Sequence, residues 1–283
     1  MALALPVIRA EVVAVVNEAP ATARVESSGA GSLEERIAAM QQELDLSYEI
    51  VQDLLSIAGA VDILVVADDS SSMNAVADAS NPTKPTTRWQ ELRDTLTRLV
   101  RMLLVVEHVD GFKLKFLNDP RWLTVDSADA LSRAFAGKAH ARGGTPLLEN
   151  LRPIARREVV KRGAVADDRP AIVLVLTDGR PSDGSMYGVK EILASRAKGT
   201  FFSFAMCTEE DDVVAAYNKA IDPVHGCDIS DDYLSEKKEV EKHGHKLTPD
   251  KWLAKIILGG MMPKYDRLDE PKSANRSAAC IIS

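Results

Sequence analysis

Cysteine is scarce in this sequence: three in 283 residues, Cys207, Cys227 and Cys280, far apart and with no CxxC pair. That spacing excludes a cysteine-ligated zinc site and a disulfide framework, and so small and odd a number fits a reducing compartment. Basic charge is also short. Lys and Arg number 35 against 42 Asp and Glu, a net charge of −7, whereas a general nucleic-acid binder shows a concentrated basic face. No nucleic-acid partner is expected, and no polybasic membrane patch. Apolar runs stay well below the roughly 20 residues that cross a bilayer. The opening "MALALPVIRAEVVAVVNEAPATA" is broken by Arg9, Glu11 and Glu18, so it fits neither a secretory nor a transit peptide. Two enzymatic signatures are missing as well: there is no GxxxxGK[ST] phosphate loop and no GxSxG elbow.

What is present suits a globular core, with 46% hydrophobic and 27% charged residues. Residues 1–31 end in "ESSGAGS" and read as a flexible leader. Ser32 and Glu35 then form a capping-box pattern. Leu33, Ile37, Met40, Leu44, Tyr48, Val51 and Leu55 follow at helical spacing, which predicts one helix over 32–59 with a single apolar face. From Val61 strands and helices alternate. "VDILVVA" (61–67), "AIVLVLTDG" (171–179) and "TFFSFAMC" (200–207) read as buried strands, and 112–125 as a hairpin turning at Asn118, Asp119 and Pro120. Helices are expected over 88–106, 127–136, 147–161, 187–197, 211–221, 231–242 and 249–258. Continuous apolar strands between amphipathic helices predict an α/β fold: a doubly wound, Rossmann-like, mostly parallel sheet covered on both faces. The expected division is 1–31 leader, 32–59 helix, 60–262 main domain and 263–283 flexible tail.

In such sheets ligands bind beyond the carboxyl ends of the strands, and the two most apolar strands both end in carboxylates, Asp68 and Asp178. Asp68, Ser70 and Ser72 alternate in "DDSSS", so in extended chain they face one way. The register starting from Asp69 would offer Ser71 and Met73 instead, one oxygen fewer. A carboxylate with two hydroxyls, and neither sulfur nor imidazole nearby, is a hard donor set suited to Mg²⁺, Mn²⁺ or Ca²⁺. Further oxygens are available from Thr145, in the glycine loop "GGTP", and from Asp178 in "LTDG".

The DxSxS at 68–72, the threonine at 145 and the TDG at 177–179, in that order, resemble the metal-ion-dependent adhesion site (MIDAS) of the von Willebrand factor type A (vWA) domain. The resemblance covers about residues 58–230, with an outer limit near 262. It implies a mainly parallel sheet with one antiparallel edge strand, and a divalent cation, Mg²⁺ first, surrounded by Asp68, Ser70, Ser72, Thr145 and Asp178, some through water. It also implies an open coordination position completed by an acidic side chain of a protein partner. Asp69 falls at a variable position of the motif, where its charge would bear on the rim.

The last four residues, Cys280-Ile281-Ile282-Ser283, match a CaaX box whose serine specifies farnesyl. A single lipid chain gives reversible membrane binding, so the expectation is a cytoplasmic protein visiting the cytosolic face of membranes. Together these features describe a non-enzymatic interaction module. Two other readings use the same residues: a metal-assisted hydrolase, with Asp69 the candidate base beside the motif, and a scaffold self-associating through residues 32–59 in which metal is only structural.

Overall fold

The computed structural model describes residues 32–78, 85–107, 111–138, 141–159 and 169–266. The leader and the tail from residue 267 on, Cys280 included, lie outside these; residues 263–266 of the expected tail are described and helical.

β1 (Asp62–Ala67) is buried along its whole length and occupies the middle of a six-stranded sheet. It pairs in parallel with β4 (Phe112–Phe116) on one side and with β6 (Ala171–Thr177) on the other. β7 (Thr200–Met206) and β8 (Cys227–Ser230) continue the parallel series. β5 (Leu123–Val125) closes the opposite edge and is antiparallel, as Phe112↔Val125 and Leu114↔Leu123. The strand order is β5-β4-β1-β6-β7-β8. This is the doubly wound, Rossmann-like sheet with one antiparallel edge strand that the sequence predicts, and the architecture the vWA resemblance implies. β2 (Val76–Asp78) and β3 (Thr86–Thr87) form a separate two-stranded ribbon next to the carboxyl end of β1.

Alternation divides the core. Ile63, Val65 and Ala67 face one apolar layer, and Leu64 and Val66 face the other. The first layer is roofed by α1 (Leu33–Glu43), α2 (Tyr48–Ile57), α3 (Arg88–Val106), α4 (Ala128–Ala136) and α9 (Pro249–Leu258). The second is roofed by α5 (Leu147–Ala155), α6 (Met186–Ala194) and α7 (Asp211–Ile221). Being covered on both faces is what lets residues 63–67 of β1 and 171–176 of β6 be apolar without a break. α8 (Tyr233–Lys242) and the short α10 (Pro263–Asp266) complete the described chain.

Several expected boundaries differ; the helix expected over 187–197, for example, is Met186–Ala194. The single helix over 32–59 is two helices, because the chain extends through Leu44–Ser47 and starts again with Ser47 as N-cap. The break is tied down from far away, the Asp45 amide donating to Asp250 Oδ2 at 2.7 Å. Of the expected stripe, Met40, Leu44 and Val51 are buried against the domain and Leu33, Ile37 and Leu55 are half-buried, leaving Tyr48, 79% exposed, as its outward member. The helix expected over 147–161 stops at Ala155; Pro153 lies in its last turn and Arg157 adopts a left-handed φ of 54°. The helix expected from 231 begins at Tyr233, where Asp232 caps the amides of Leu234 and Ser235.

Candidate metal centre

Sheet register sets the two carboxylates side by side. Ala67 lies opposite Leu176, and the Asp68 amide donates to the Leu176 carbonyl at 2.8 Å, so β1 and β6 release their chains at the same level. Asp68 is 0% exposed. Its Oδ1 accepts from the Ser70 amide at 2.8 Å and its Oδ2 from the Thr177 hydroxyl at 2.5 Å. Burial raises its pKa to about 6, and the Asp178 charge adds to the rise against those hydrogen bonds.

Beyond Asp68 the chain forms a short 3-10 turn, Ser71–Asn74, pinned by the buried Met73. The Ser70 and Ser72 hydroxyls stand 2.9 Å apart, and Ser72 donates to Asp178 Oδ1 at 2.7 Å. Ser71 instead accepts from the Gly143 amide at 3.1 Å, and Met73 goes into the core. Alternation from Asp68 therefore describes which side chains converge.

Thr145 is brought in by the glycine loop. Gly143 has φ +97°, and a Cβ there would lie 2.5 Å from Asn118 Oδ1, so both conformation and space demand glycine. The Gly143 carbonyl accepts from Ser71 at 3.0 Å, and the Arg142 amide donates to the Asp69 carbonyl at 2.6 Å, which docks the loop on the 68–72 segment. A reciprocal pair then joins the threonine to the β6 loop: Thr145 N donates to Ser182 Oγ, and Ser182 N to the Thr145 carbonyl, both at 2.9 Å. A Cβ placed on Gly179 would meet Thr145 Oγ1 at 3.6 Å and Ser72 Oγ at 3.7 Å, with no other heavy atom within 4 Å. Gly179 thus faces a small gap walled by hydroxyls of two distant segments. The buried Tyr217 holds this turn by donating to the Gly179 carbonyl at 2.8 Å.

All five oxygen-bearing residues named from the sequence, Asp68, Ser70, Ser72, Thr145 and Asp178, converge. The donor set fits a hard divalent cation: two carboxylates and three hydroxyls linked in one cluster, with the Asp68 carboxyl's proton affinity raised by burial. Among the described residues no group of three or more His, Cys, Asp and Glu side chains is placed to hold a metal, so hydroxyls are indispensable to this set.

Two features of the site are not in the sequence motif. Asp69 does not face the cluster or the rim. It is buried on the other side, accepting from the Asn118 amide at 2.8 Å, Asn118 Nδ2 at 3.0 Å and Lys138 Nζ at 2.6 Å. The second is Arg88, the first residue of α3, whose Nη1 lies 3.0 Å from Asp178 Oδ2 and whose Nη2 lies 2.7 Å from Glu210 Oε1. The local signal for Arg88 was its place directly after Thr87, which caps α3 in a reciprocal box with Gln90; nothing local points to Asp178.

No protein-family model matches this chain, and no curated protein does. Among solved structures it is similar to a von Willebrand factor type A protein from Catenulispora acidiphila, at 14% identity and a TM-score of 0.39, over 74% of this chain and 42% of that one. It is also similar to an aerotolerance-related membrane protein from Bacteroides fragilis NCTC 9343 bearing multiple mutations to serines, at 15% identity and a TM-score of 0.33, over 52% of this chain and 67% of that one. The chain therefore spans less than half the length of the first of these. Likenesses this distant concern the fold alone, which the strand order defines independently of them. No helix among the described residues is long and apolar enough to cross a membrane.

Proposed function

We propose that this protein is a vWA-type interaction module that binds a divalent cation, Mg²⁺ first, at a MIDAS made by Asp68, Ser70, Ser72, Thr145 and Asp178, and that a partner's carboxylate completes the cation's coordination. The observation that carries the reading is the joining of these five residues from three separate segments: Ser72 and Thr145 hydroxyls wall the gap beside Gly179, Ser70 and Asp178 touch Ser72, and Asp68 accepts from the Ser70 amide. A set containing only two carboxylates leaves a bound dication with residual positive charge, which favours an acidic ligand. When bound, the cation supplies a Lewis-acidic contact; the chain's residues hold it and exclude the core from it.

The hydrolase reading loses ground on Asp69. A general base must reach a metal-bound water, and this carboxylate is turned away and paired with Lys138. The reading proposed here is therefore non-enzymatic. Membrane association belongs to the same proposal and rests on Cys-Ile-Ile-Ser at 280–283, which supports a farnesyl group on Cys280 and a cytosolic, reversible attachment.

The test is thermal unfolding in EDTA and in Mg²⁺. Mg²⁺ at about a hundred times its Kd should stabilise the wild type by about 2.7 kcal/mol, a rise in Tm on the order of 5–10 °C. Asp68→Ala should abolish the difference and Asp178→Ala should shrink it. An equal Tm with and without metal in the wild type sinks the cation reading. Separately, Cys280→Ser should move a tagged protein from the membrane to the soluble fraction of cells; unchanged partitioning counts against lipidation.

A further inference from the structure

Both oxygens of Asp178 are already engaged by this chain. Oδ1 accepts from Ser72 at 2.7 Å and Oδ2 is held by Arg88 at 3.0 Å. The Arg88 side chain is only 13% exposed, and Asp178's is 0% exposed. The guanidinium is not a wandering surface charge, because its backbone is fixed: the Arg88 amide donates to the Ala75 carbonyl at 3.0 Å, just past the turn that carries Ser72. Its other arm reaches Glu210, 54% exposed, at the start of α7.

We propose that Arg88 is a built-in counter-cation of the site: by holding Asp178 it keeps affinity for a divalent cation low and keeps that carboxylate out of direct contact with the ion. The inference rests on the cation reading and concerns how this chain tunes it. The reasoning is electrostatic. Two buried carboxylates present two negative charges, and a guanidinium on one of them cancels half, so an incoming dication meets one net charge. Even at the dielectric of water, a positive charge about 6 Å away shifts a dication's affinity by about tenfold. Arg88 also cannot lose its charge by deprotonation, so it opposes the ion at every accessible pH. With Asp178 neutralised by the guanidinium, Asp68, hydrogen-bonded by the Ser70 amide and the Thr177 hydroxyl, carries the uncompensated charge of the pair, and the ion stays electrophilic toward an acidic ligand. Glu210 moderates the clamp from outside by sharing the guanidinium.

The experiment is calorimetric titration of Mg²⁺ into wild type, Arg88→Gln, Arg88→Lys, Glu210→Gln and Asp68→Ala, with unfolding of each in EDTA. Arg88→Gln should bind Mg²⁺ about tenfold more tightly while unfolding at lower temperature in EDTA, because Asp178 then lacks a counter-charge. Arg88→Lys, which keeps the charge, should stay near the wild-type Kd. Glu210→Gln should weaken Mg²⁺ binding by about two- to threefold, since the guanidinium then rests on Asp178 alone. Equal or weaker Mg²⁺ binding by Arg88→Gln overturns the proposal. Should that variant fail to fold, Glu210→Gln decides, and an unchanged or tighter Kd there overturns it. The two levels separate cleanly. Wild-type binding that Asp68→Ala removes, without tightening in Arg88→Gln, defeats the Arg88 role alone. Absence of saturable binding in both wild type and Arg88→Gln, with Asp68→Ala indistinguishable from them, defeats the cation reading and this role with it.

Discussion

Asp68 and Asp69 are adjacent, both buried, and held in opposite environments. Asp68 sits among hydroxyls with a pKa raised to about 6 by burial, while Asp69 has Lys138 at 2.6 Å and Asn118 beside it. Removing the Asp69 charge should strand a largely buried ammonium, so Asp69→Asn should lower unfolding stability by about 2 kcal/mol in urea denaturation while leaving Mg²⁺ affinity close to wild type. A loss of affinity as large as that of Asp68→Ala would reverse the roles assigned to the two residues. Gly179→Ala is the complementary case. The new methyl would make ordinary contacts of 3.6 and 3.7 Å with the Thr145 and Ser72 hydroxyls, so the fold should persist within about 1 kcal/mol of stability and the gap should close to the ion. Near-wild-type Mg²⁺ titration by that variant would show that the gap is not where the ion sits. The five residues of the proposed site could be picked out in the sequence because each occupies a strand end, the turn just beyond it or a glycine loop, positions with strong local signatures. Arg88 was not legible, since its carboxylate lies 90 residues away, and Asp69's orientation depended on Asn118, 49 residues on.

Helices were legible to the extent that their ends are made locally. The boxes Ser32/Glu35 and Thr87/Gln90 mark two starts, whereas the break between α1 and α2 depends on Asp250, 205 residues from Asp45. Asp250 also accepts from Arg98 at 3.1 Å, so α9, α3 and the α1–α2 bend share one carboxylate. On its other side α9 carries Lys255, fully buried and 2.8 Å from Glu236 of α8. Next to this pair Asp231 has its pKa raised to about 6, first by burial and then by the charges of Glu236 and Asp232. The native state therefore holds a proton on Asp231 more tightly than the unfolded chain does, so stability contributed here is greatest at low pH and falls as pH rises from about 4 through about 6. Asp231→Asn should accordingly stabilise by about 1 kcal/mol at pH 7.5, after allowance for its partial exposure, and the gain should vanish near pH 4. A gain of the same size at both pH values in thermal melts would show that its ionisation is not the cause.

Across the whole molecule the sheet order was legible only in outline. Buried runs and the hairpin indicated a parallel sheet with one reversed edge, but a central position for β1 follows from the connections, which leave it toward β4 and return to β6 on its other side. That order makes the site a composite. Asp68 and Asp178 are levelled by strand register, Thr145 is docked through Ser182, and Arg88 is delivered by a helix on one face of the sheet. The consequence is mechanical. A cation held by side chains from the tips of β1 and β6, directly or through water, would be a clasp across the middle strands, sharing the load with the backbone bond from Asp68 N to the Leu176 carbonyl that joins them. Pulling those strands apart would then require tearing out the ion before the ladder could unzip.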